Sequence, residues 1–573
     1  MTTKIDLLIK NANVFNSYLK EFIPGDIAIL DGKVLFVDES KLMEFDFEKV
    51  VDVEGKYVIP GLIDIHMHIE SSMVTPGSFC DHVAKCGVTT IVAESHEIGN
   101  VKGIDAVMEM IKASEKSPID VFFGIPSSVP STTSELETTG GKIDFEDMKF
   151  LLEQKEIICL GEVMNYKEVI RENDLEVTKF INYLNKNYPH YTIEGHCPSL
   201  MGLDLAKYIY LGIDSDHTEH SLEEFIDRFK QGMFVQIQEK SLSVDLFNYI
   251  FENALFEHCA FVTDDVMTDK LYENGQLDDV VRKAIQIGFP IEEAIYCSTY
   301  TPARRMKLTD RGAISPGKLA DFVVIENLFD LEINSVYKNG ELIFDKNSED
   351  VQVKEHYKFP EEYYKSIKLE KVTPADLEIF TDENSESVKV RLMVVSDGTT
   401  RIIEEVGEVP IRDGKLDWEN SEYILGVVFD RYGITKNKSF ALLKGDCIKT
   451  GAAATTWFHD SHNLFAMGKD KASLVTAINT IIEQQGGFVV AKDGEVVGNL
   501  PLPVGGIMSD EPVKDVAEKL KEVRNALIAQ GYKHYNPIMS IGTLGLAVSP
   551  FLKLTDVGLV DVPNGEIVDL IID

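Results

Sequence analysis

Histidines and carboxylates that can hold metal ions stand where short apolar runs of β type end. His66 and His68 alternate in GLIDIHMH, so both side chains project from one face of a strand. The remaining members of the set close further runs of this kind: Glu162 in IICLGE, His196 in YTIEGH, His217 in GIDSDH and Asp264 in FVTD. Four imidazoles and two carboxylates converging at one place match a site for two divalent metal ions, with one carboxylate bridging them. These residues therefore predict a metal-dependent hydrolytic centre.

The elements that must position these side chains alternate between strand and helix. Between residues 58 and 310, eight strand-like runs end at GLIDIHMH, VTTIVAESHE, DVFFGIPSS, IICLGEVMN, YTIEGHCP, GIDSDHTEH, FVQIQEK and FVTDD. Amphipathic stretches such as GIDAVMEMIKASEK and LDDVVRKAIQIG separate them. This pattern predicts an α/β fold with a (β/α)8 TIM-like barrel, whose chemistry lies at the C-terminal ends of the strands. A doubly wound open sheet is the alternative, but no GxGxxG follows the first strand.

Two β-rich pieces flank this segment and predict one small β-domain built from both of them. The expected domains are residues 1–57 (first part of the β-domain), 58–310 (barrel), 311–365 (second part and a connection) and 366–573 (a C-terminal α/β domain). In the last domain, YILGVVFD and GGFVVAKDGEVVG are expected strands, and PVKDVAEKLKEVRNALIAQG is expected to form one solvent-facing helix.

The net charge and the lack of long apolar runs argue against some classes of partner and location. The 573 residues carry a formal net charge of −39, which disfavours phosphate backbones and anionic lipid surfaces as partners. No run of 18 apolar residues occurs, and the N-terminus lacks the pattern of a secretory signal, so we expect a cytoplasmic protein. The seven cysteines contain no CxxC pair and are expected to be reduced and buried.

Several motifs resemble those of a known family. PGLIDIHMHIESSM and PARRMKLTDRGAISPGKLADFVVI resemble the amidohydrolase superfamily. More narrowly, HIESSMVTP, LGEVMN, GHCPSLMG, FVTDD, FHDSHNLFAMG and LPLPVGGIMSD resemble the bacterial adenine deaminases, which share the additional C-terminal domain. The resemblance covers essentially the whole chain.

The resemblance implies how the ligands are shared. His66, His68 and Asp264 would hold one metal ion, and His196 and His217 the other. Glu162 occupies the position of the bridging glutamate that this family has in place of a carboxylated lysine. Two divalent ions are expected; Mn²⁺ suits this ligand set best, and Fe²⁺ or Zn²⁺ is compatible with it.

The sequence departs from the family pattern on three loops. Thr218 stands where the family has glutamate, the usual REGS reads QEKS with Gln238 and Lys240, and Val266 begins a run that is usually basic-His-Pro. No proposed metal ligand is affected. These loops would shape the pocket, so the departures concern the choice of aminopurine more than the reaction.

Two further groups of residues are candidates for contact with substrate. His96 and Glu97 in AESHE are candidate catalytic proton donors, or alternatively support the metal ligands from behind. Glu70, Ser71 and Ser72 follow the first ligand pair and are candidates for substrate binding, or alternatively cap a loop.

Three histidines outside the ligand set have other possible roles. His220 is an alternative to His217 as a ligand. In FHDSHN, His459, Asp460 and His462 are candidates for a third metal site or for a lid contact at the active site. The alternative is an interdomain hydrogen-bond network.

The expected reaction is hydrolysis of adenine to hypoxanthine and ammonia, with Asp264 transferring the proton of the attacking water to the leaving amine. Adenine is the expected small-molecule partner, and a homo-oligomer, a dimer or larger, is the expected assembly. Hydrolysis of a cyclic amide is the alternative reaction, and an inactive relative that acts as a scaffold is the non-enzymatic alternative. The HxE at His68 is also found in zinc nucleobase deaminases, but the chain has no PCxxC and cannot belong to them.

Overall fold

The computed structural model describes residues 4–38, 45–171, 174–348, 356–383 and 385–572, and these form a mixed α/β structure. No helix in these ranges is long and apolar enough to cross a membrane. All seven cysteines lie in these ranges and are buried as free thiols, as the sequence predicts.

The N-terminal flank consists of β-strands. They are β1 (Lys4–Asn16), β2 (Glu21–Leu30), β3 (Lys33–Asp38), β4 (Asp46–Asp52) and β5 (Tyr57–Pro60). β1 pairs antiparallel with β2 and parallel with β4 and β5.

The central segment alternates strands with helices. Its strands are β6 (Leu62–Met67), β7 (Val88–Glu94), β8 (Asp120–Ile125), β9 (Ile157–Val163), β10 (Thr192–Gly195), β11 (Ser215–Asp216), β12 (Phe234–Ile237) and β13 (Cys259–Phe261). Its helices are α1 (Pro76–Val83), α2 (His96–Lys102), α3 (Ile104–Ser114), α4 (Phe145–Leu152), α5 (Tyr166–Ile170), α6 (Glu176–Asn187), α7 (Gly202–Tyr210), α8 (Leu222–Gln231), α9 (Val244–Glu252), α10 (Thr268–Asn274), α11 (Leu277–Gln286) and α12 (Ile291–Arg305). Seven of the eight strand-like runs of the sequence contain one of these strands, whereas the eighth, FVTDD, shares only Phe261 with β13.

The eight central strands form two parallel sheets. One has the order β10-β9-β8-β7-β6 and the other the order β11-β12-β13. Every residue of β6 and β7 is buried, as expected of parallel strands covered on both faces. The backbone N–H of Asp264 donates to the carbonyl of His66 at 3.1 Å and so links the end of one sheet to the other.

The strand expected at FVTDD is shorter than its sequence pattern suggests. β13 ends at Phe261, and Asp264 has a φ of 61° in the left-handed region. Asp264 and the next residue, Asp265, follow the end of β13, so the alternation of side chains along a strand does not apply to them.

The chain then returns to the N-terminal sheet. The next strands are β14 (Phe322–Ile325), β15 (Ile333–Lys338) and β16 (Glu341–Asp345), and β14 pairs antiparallel with β5. The resulting sheet has the order β16-β15-β14-β5-β1-β2-β3, with β4 beside β1. Ile9, Val58 and Phe322 are fully buried in its core, so residues from both flanks share one hydrophobic cluster. Part of the expected connection, residues 349–355, lies outside the described residues.

The C-terminal region is a second α/β structure. Its strands are β17 (Ser387–Val395), β18 (Ile403–Arg412), β19 (Lys415–Leu416), β20 (Ile424–Phe429), β21 (Lys438–Gly445), β22 (Ala452–Thr455), β23 (Leu464–Gly468), β24 (Gly487–Lys492), β25 (Glu495–Pro501), β26 (Leu552–Leu554), β27 (Leu559–Asp561), β28 (Glu566–Val568) and β29 (Ile571–Ile572). Its helices are α13 (Lys471–Gln484), α14 (Val513–Ala529) and α15 (Pro537–Gly542). The large sheet has the order β19-β18-β17-β21-β20-β23-β22-β24-β25, with β29 beside β17, and β26 to β28 form a small sheet.

Helix α14 is a single helix, as predicted, but it is solvent-facing on only one side. Val516, Leu520 and Val523 are fully buried on its other side. Arg524 extends from it to Asp269 of α10, with 2.8 Å between its Nε and a carboxylate oxygen. The helix therefore joins the C-terminal region to the central segment.

Candidate metal centre

The carboxylate of Glu162 lies at the centre of the predicted ligand set. Glu162 is near the end of β9, and its Oε2 is 2.7 Å from the Nδ1 of His196 and 3.3 Å from the Nε2 of His217. Its other oxygen, Oε1, is 3.4 Å from the Nε2 of His68. The two oxygens of one carboxylate thus face imidazoles from different strands, which is the arrangement required of a bridging ligand.

Asp264 closes the other side of the cluster. Its Oδ1 is 3.5 Å from the Nε2 of His68 and 3.8 Å from the Nε2 of His66. The left-handed backbone of Asp264 turns the chain toward the His66 side, where its N–H bonds the His66 carbonyl. Aspartate tolerates this conformation better than most residues do.

The surroundings of the imidazoles orient them toward the centre. The Nδ1 of His68 is 3.2 Å from the carbonyl oxygen of Glu94, and an N–H donated there leaves the lone pair of Nε2 facing the carboxylates. The ring of His66 stacks on that of His217 with 3.7 Å between centroids. Behind His66, the buried Asp64 accepts hydrogen bonds from the His66 N–H and from the hydroxyl of Thr263.

The pKa values in the cluster show that its two carboxylates are charged and are stabilised by positive charge beside them. Burial raises the pKa of Glu162, but His196 and His217 outweigh it and hold the pKa well below its ordinary value. Burial lowers the pKa of His217, but its hydrogen bond to Glu162 raises the net value to about 9. Asp264 behaves like Glu162: its bond to His68 and the charge of His217 overcome burial and lower its pKa. Bound cations would supply this positive charge and leave the imidazoles neutral.

The residues present fit a divalent metal centre. Three groups of ligand atoms lie within 4.8 Å of one another: His66, Glu162 and His217; His66, His68 and Asp264; and His68, His96 and Glu162. The Nε2 of His66 is buried and has no hydrogen-bond partner in the described part of the chain. Imidazole nitrogens and carboxylate oxygens are the donors that Mn²⁺, Fe²⁺ and Zn²⁺ accept.

Both predicted proton donors border the same cavity, but they face different groups. The Nδ1 of His96 is 3.8 Å from Glu162, whereas the carboxyl of Glu97 accepts a hydrogen bond from the Ser71 hydroxyl at 2.7 Å. Burial and the charge of His68 lower the pKa of His96 to about 3, so its ring is neutral. Burial together with Asp265 and Glu70 raises the pKa of Glu97 well above its usual range.

The three residues predicted to bind substrate do not line the cavity of about 90 Å³ above the ligands. The single hydroxyl of Ser71 lies within hydrogen-bond distance of carboxyl oxygens of both Glu97 and Asp265 and so links two residues of the cavity wall. The hydroxyl of Ser72 donates to the carbonyl of Ile69, which is the loop-capping alternative. One carboxylate oxygen of Glu70 lies 3.4 Å from the N–H of Ile98.

The unusual loop residues stabilise the ligand strands. The amide of Gln238 donates to the carbonyl of His217 at 2.8 Å, and the N–H of Thr218 donates to Asp216. The ring of His220 is 2.7 Å from Asp216 and pairs with that carboxylate, whereas His217 faces Glu162. Val266 lies on a neighbouring cavity of about 360 Å³.

The C-terminal region supplies part of the cavity wall, which the sequence did not reveal beyond the FHDSHN motif. His459 and Asp460 border the cavity together with three apolar or hydroxyl-bearing residues of the C-terminal region, Met539, Thr543 and Leu546. Asp265, which follows the predicted ligand Asp264, also borders it. No spacing pattern marks these residues, because they come together only when the two regions pack.

The chain is similar in sequence to two protein families and to several known proteins. The sequence model of the amidohydrolase family matches residues 57–343, and that of the adenine deaminase C-terminal domain matches residues 399–566. The chain is 49% identical to an adenine deaminase of Clostridium perfringens, covering 99% of this chain and 100% of that one. It is 45% identical to adenine deaminase 2 of Shouchella clausii, covering 99% of each chain. A crystal structure of an adenine deaminase covers 60% of this chain and 100% of its own, at 18% identity and a TM-score of 0.45.

Proposed function

The chain belongs to the adenine deaminase family of the amidohydrolases, and we propose that it hydrolyses adenine to hypoxanthine and ammonia. The observation that supports this most directly is the placement of Glu162 between His68 on one side and His196 and His217 on the other. A lysine on this strand would have favoured the cyclic-amide alternative. The complete ligand set speaks against an inactive scaffold.

We further propose that the two parallel sheets form one closed eight-stranded barrel. The hydrogen bond from Asp264 to His66 joins the β13 end to β6, and the N–H of Gly195 donates to the Ser215 hydroxyl at the other seam. The ligands then lie at the C-terminal mouth, where this fold carries its chemistry. The shared sheet of both flanks supports one β-domain built from the proposed segments 1–57 and 311–365, although β5 runs past residue 57 to Pro60. The segments 58–310 and 366–573 remain the proposed barrel and C-terminal domain.

Two divalent ions are the proposed cofactors, most suitably Mn²⁺. His66, His68 and Asp264 would hold one, His196 and His217 the other, and Glu162 would bridge them. Ions bound there would supply a water nucleophile at neutral pH by lowering the pKa of water.

Residues of the chain itself would carry out the proton transfers. Asp264 lies beside His66 and His68, where it can accept the proton of the water that attacks C6 of adenine and pass it to the departing amine. His96 is neutral, faces Glu162 and can donate its N–H to a ring nitrogen, which makes C6 more electrophilic. We assign this role to His96 rather than Glu97, since the Glu97 carboxyl is bonded to Ser71.

The walls of the cavity suit a flat purine base. Met164, Met539 and Leu546 offer apolar surface, and His96, Asp265 and Asp460 offer polar groups. We therefore propose that free adenine is accepted and that adenosine, with its ribose, is excluded. The expected cytoplasmic location and homo-oligomeric assembly stay predictions from sequence.

The test is ammonia release by chain that has been stripped with a chelator and reloaded with Mn²⁺. We expect activity with adenine and none with adenosine or cyclic amides, because the cavity is small. The variant Glu162→Gln tests the site in the same assay. A neutral amide bridges two metal ions poorly, so metal content and turnover should fall together. Ammonia from adenosine but not adenine would contradict the substrate, and a Glu162→Gln chain with full metal and turnover would contradict the site.

A further inference from the structure

A second group of metal-ligating side chains lies beside the proposed centre and is not part of it. Glu97 is in the first turn of α2, and His459 and His462 follow β22 in the C-terminal region. One potential ligand atom from each lies within 4.8 Å of the other two. The Nε2 of His462 is 3.7 Å from the Oε2 of Glu97. The cluster therefore spans the junction between the central and C-terminal regions.

The polar atoms of this cluster are buried without partners. His462 and Glu97 are 0% and 1% exposed. Within the described ranges, both ring nitrogens of His462, the Nε2 of His459 and the Oε2 of Glu97 form no hydrogen bond. Buried polar groups in folded proteins are nearly always hydrogen-bonded, so four unpaired atoms in one place indicate a missing ligand.

Carboxylates around the cluster favour a cation over a neutral ligand, against the positive charge of Arg431 near His462. Burial raises the pKa of Glu97, and the nearby carboxylates of Asp265 and Glu70 raise it further. Burial lowers the pKa of His459 to about 4, so its ring is neutral and has a lone pair available for a metal. Arg431 bonds the backbone carbonyl of His462, which leaves the imidazole free to face Glu97.

We propose that Glu97, His459 and His462 form a third metal site, distinct from the two-ion centre, that binds Zn²⁺ through two imidazoles and one carboxylate. Zn²⁺ takes this ligand set with bonds of about 2.0–2.1 Å, which places tetrahedral ligand atoms about 3.3 Å apart. The 3.7 Å between Glu97 and His462 needs only a small contraction. Glu97 and His459 border the catalytic cavity, so the fourth position of the metal faces it.

The proposed ion has a structural consequence. It joins α2, which begins where β7 ends, to the segment after β22 that carries His459 and Asp460 into the cavity wall. Zn²⁺ would thus fix the C-terminal part of the wall to the central segment, and this role does not depend on which substrate is hydrolysed.

The test measures bound metal per chain. Full-length protein is stripped with a chelator, reloaded with Zn²⁺ and freed of excess by gel filtration, and zinc is counted by mass spectrometry. We expect three ions per wild-type chain and two for His462→Gln. His82→Gln is the matched control, because His82 is in no ligand group and contacts only the Leu271 carbonyl through its ring nitrogen; it should retain three.

A further variant separates this proposal from the two-ion centre. The double change His66→Asn and His68→Asn should remove zinc from that centre and leave the third ion bound. If His462→Gln binds as many ions as the wild type, the third site is wrong and the two-ion centre is unaffected. If the double variant still binds as many zinc ions as the wild type while His462→Gln binds one fewer, the two-ion centre is wrong and the third site stands.

Because His462 is fully buried, its variant can fail to fold, and a second measurement needs no substitution. Crystals of the zinc-loaded wild-type chain measured at the zinc absorption edge should show an anomalous peak between Glu97 and His462. An anomalous map with peaks at the two-ion centre and none at this position overturns the proposal.

Discussion

At the scale of single residues, the most informative pair is Asp264 and Asp265. In a regular strand two neighbours point to opposite faces, which would leave only one of them at the metals. Here the positive φ of Asp264 breaks that alternation, and both carboxylates border the cavity. Asp264 faces His66 and His68, whereas Asp265 accepts the hydrogen bond of Ser71. The two residues therefore differ in their partners although they share a cavity.

This difference predicts unequal effects of two equal substitutions. Asparagine tolerates the left-handed backbone, so Asp264→Asn should keep the fold while losing the proton acceptor. Turnover of adenine should fall by about 10²–10⁴-fold, the usual contribution of general acid–base help, with a smaller loss of metal. Asp265→Asn is the matched control and should cost far less turnover, because its carboxylate contacts Ser71. Steady-state kinetics and metal analysis of both proteins give the answer. Wild-type turnover in Asp264→Asn, with Asp265→Asn inactive but folded, would reverse the two roles.

At the scale of elements, the apolar pattern of the sequence predicts where the strands lie better than it predicts the residues at which they end. Seven of the eight central strands lie in the runs that apolar pattern and turn residues mark, because parallel strands buried on both faces read as short apolar runs. The eighth, β13, shares only Phe261 with its predicted run. The end of β13 was missed, since the turn at Asp264 depends on its tertiary bond to His66. The buried face of α14 was missed for the same reason: its partner, α10, is more than 200 residues away along the chain.

The six proposed ligands could be predicted because each stands at or close to the end of a strand, whereas the wall that faces them could not. Met539, Thr543 and Leu546 reach the cavity only through packing of the C-terminal region. Nothing in their types or spacing distinguishes them from ordinary core residues. Sequence pattern thus identifies side chains fixed by one element and misses those fixed by contact between two regions.

A further prediction concerns Gly161 in strand β9, the residue before Glu162. A Cβ added at Gly161 would lie 1.7 Å from a carboxylate oxygen of Glu94, and that oxygen accepts the N–H of Glu162 at 3.0 Å. Glu94 is buried and cannot turn to solvent. Gly161→Ala should therefore displace Glu94, lower the free energy of unfolding by about 1–3 kcal/mol and weaken metal binding by disturbing Glu162.

The control for this substitution is Gly25→Ala in β2. A Cβ there meets nothing nearer than 3.5 Å, and Gly25 has no positive φ, so stability and metal content should be unchanged. Thermal unfolding and metal analysis compare the two variants. Equal stability and metal content in both would show that Glu94 does not position Glu162.

At the scale of the whole molecule, the catalytic cavity is formed by two regions. Asn463 donates to the carbonyl of Thr138 at 2.8 Å, and the N–H of Thr138 donates to Asp556 at 2.9 Å. Trp457 and Phe458 are fully buried in the same hydrophobic cluster as residues of the central segment. The C-terminal region therefore completes the core as well as the cavity.

This continuity predicts that the central segment does not function without the C-terminal region. A chain ending near residue 365 would expose the apolar surface that Trp457 and Phe458 cover, and exposed patches of this kind drive aggregation. It would also lack His459 and Asp460, which border the cavity. We expect the shortened protein to be largely aggregated, to bind metal weakly and to release little ammonia from adenine. Full-length chain purified in parallel is the reference, and gel filtration, metal analysis and the ammonia assay are the measurements. A monodisperse shortened chain with full metal content and wild-type turnover would show that all catalytic chemistry resides in residues 1–365 and that the C-terminal wall contributes nothing to it.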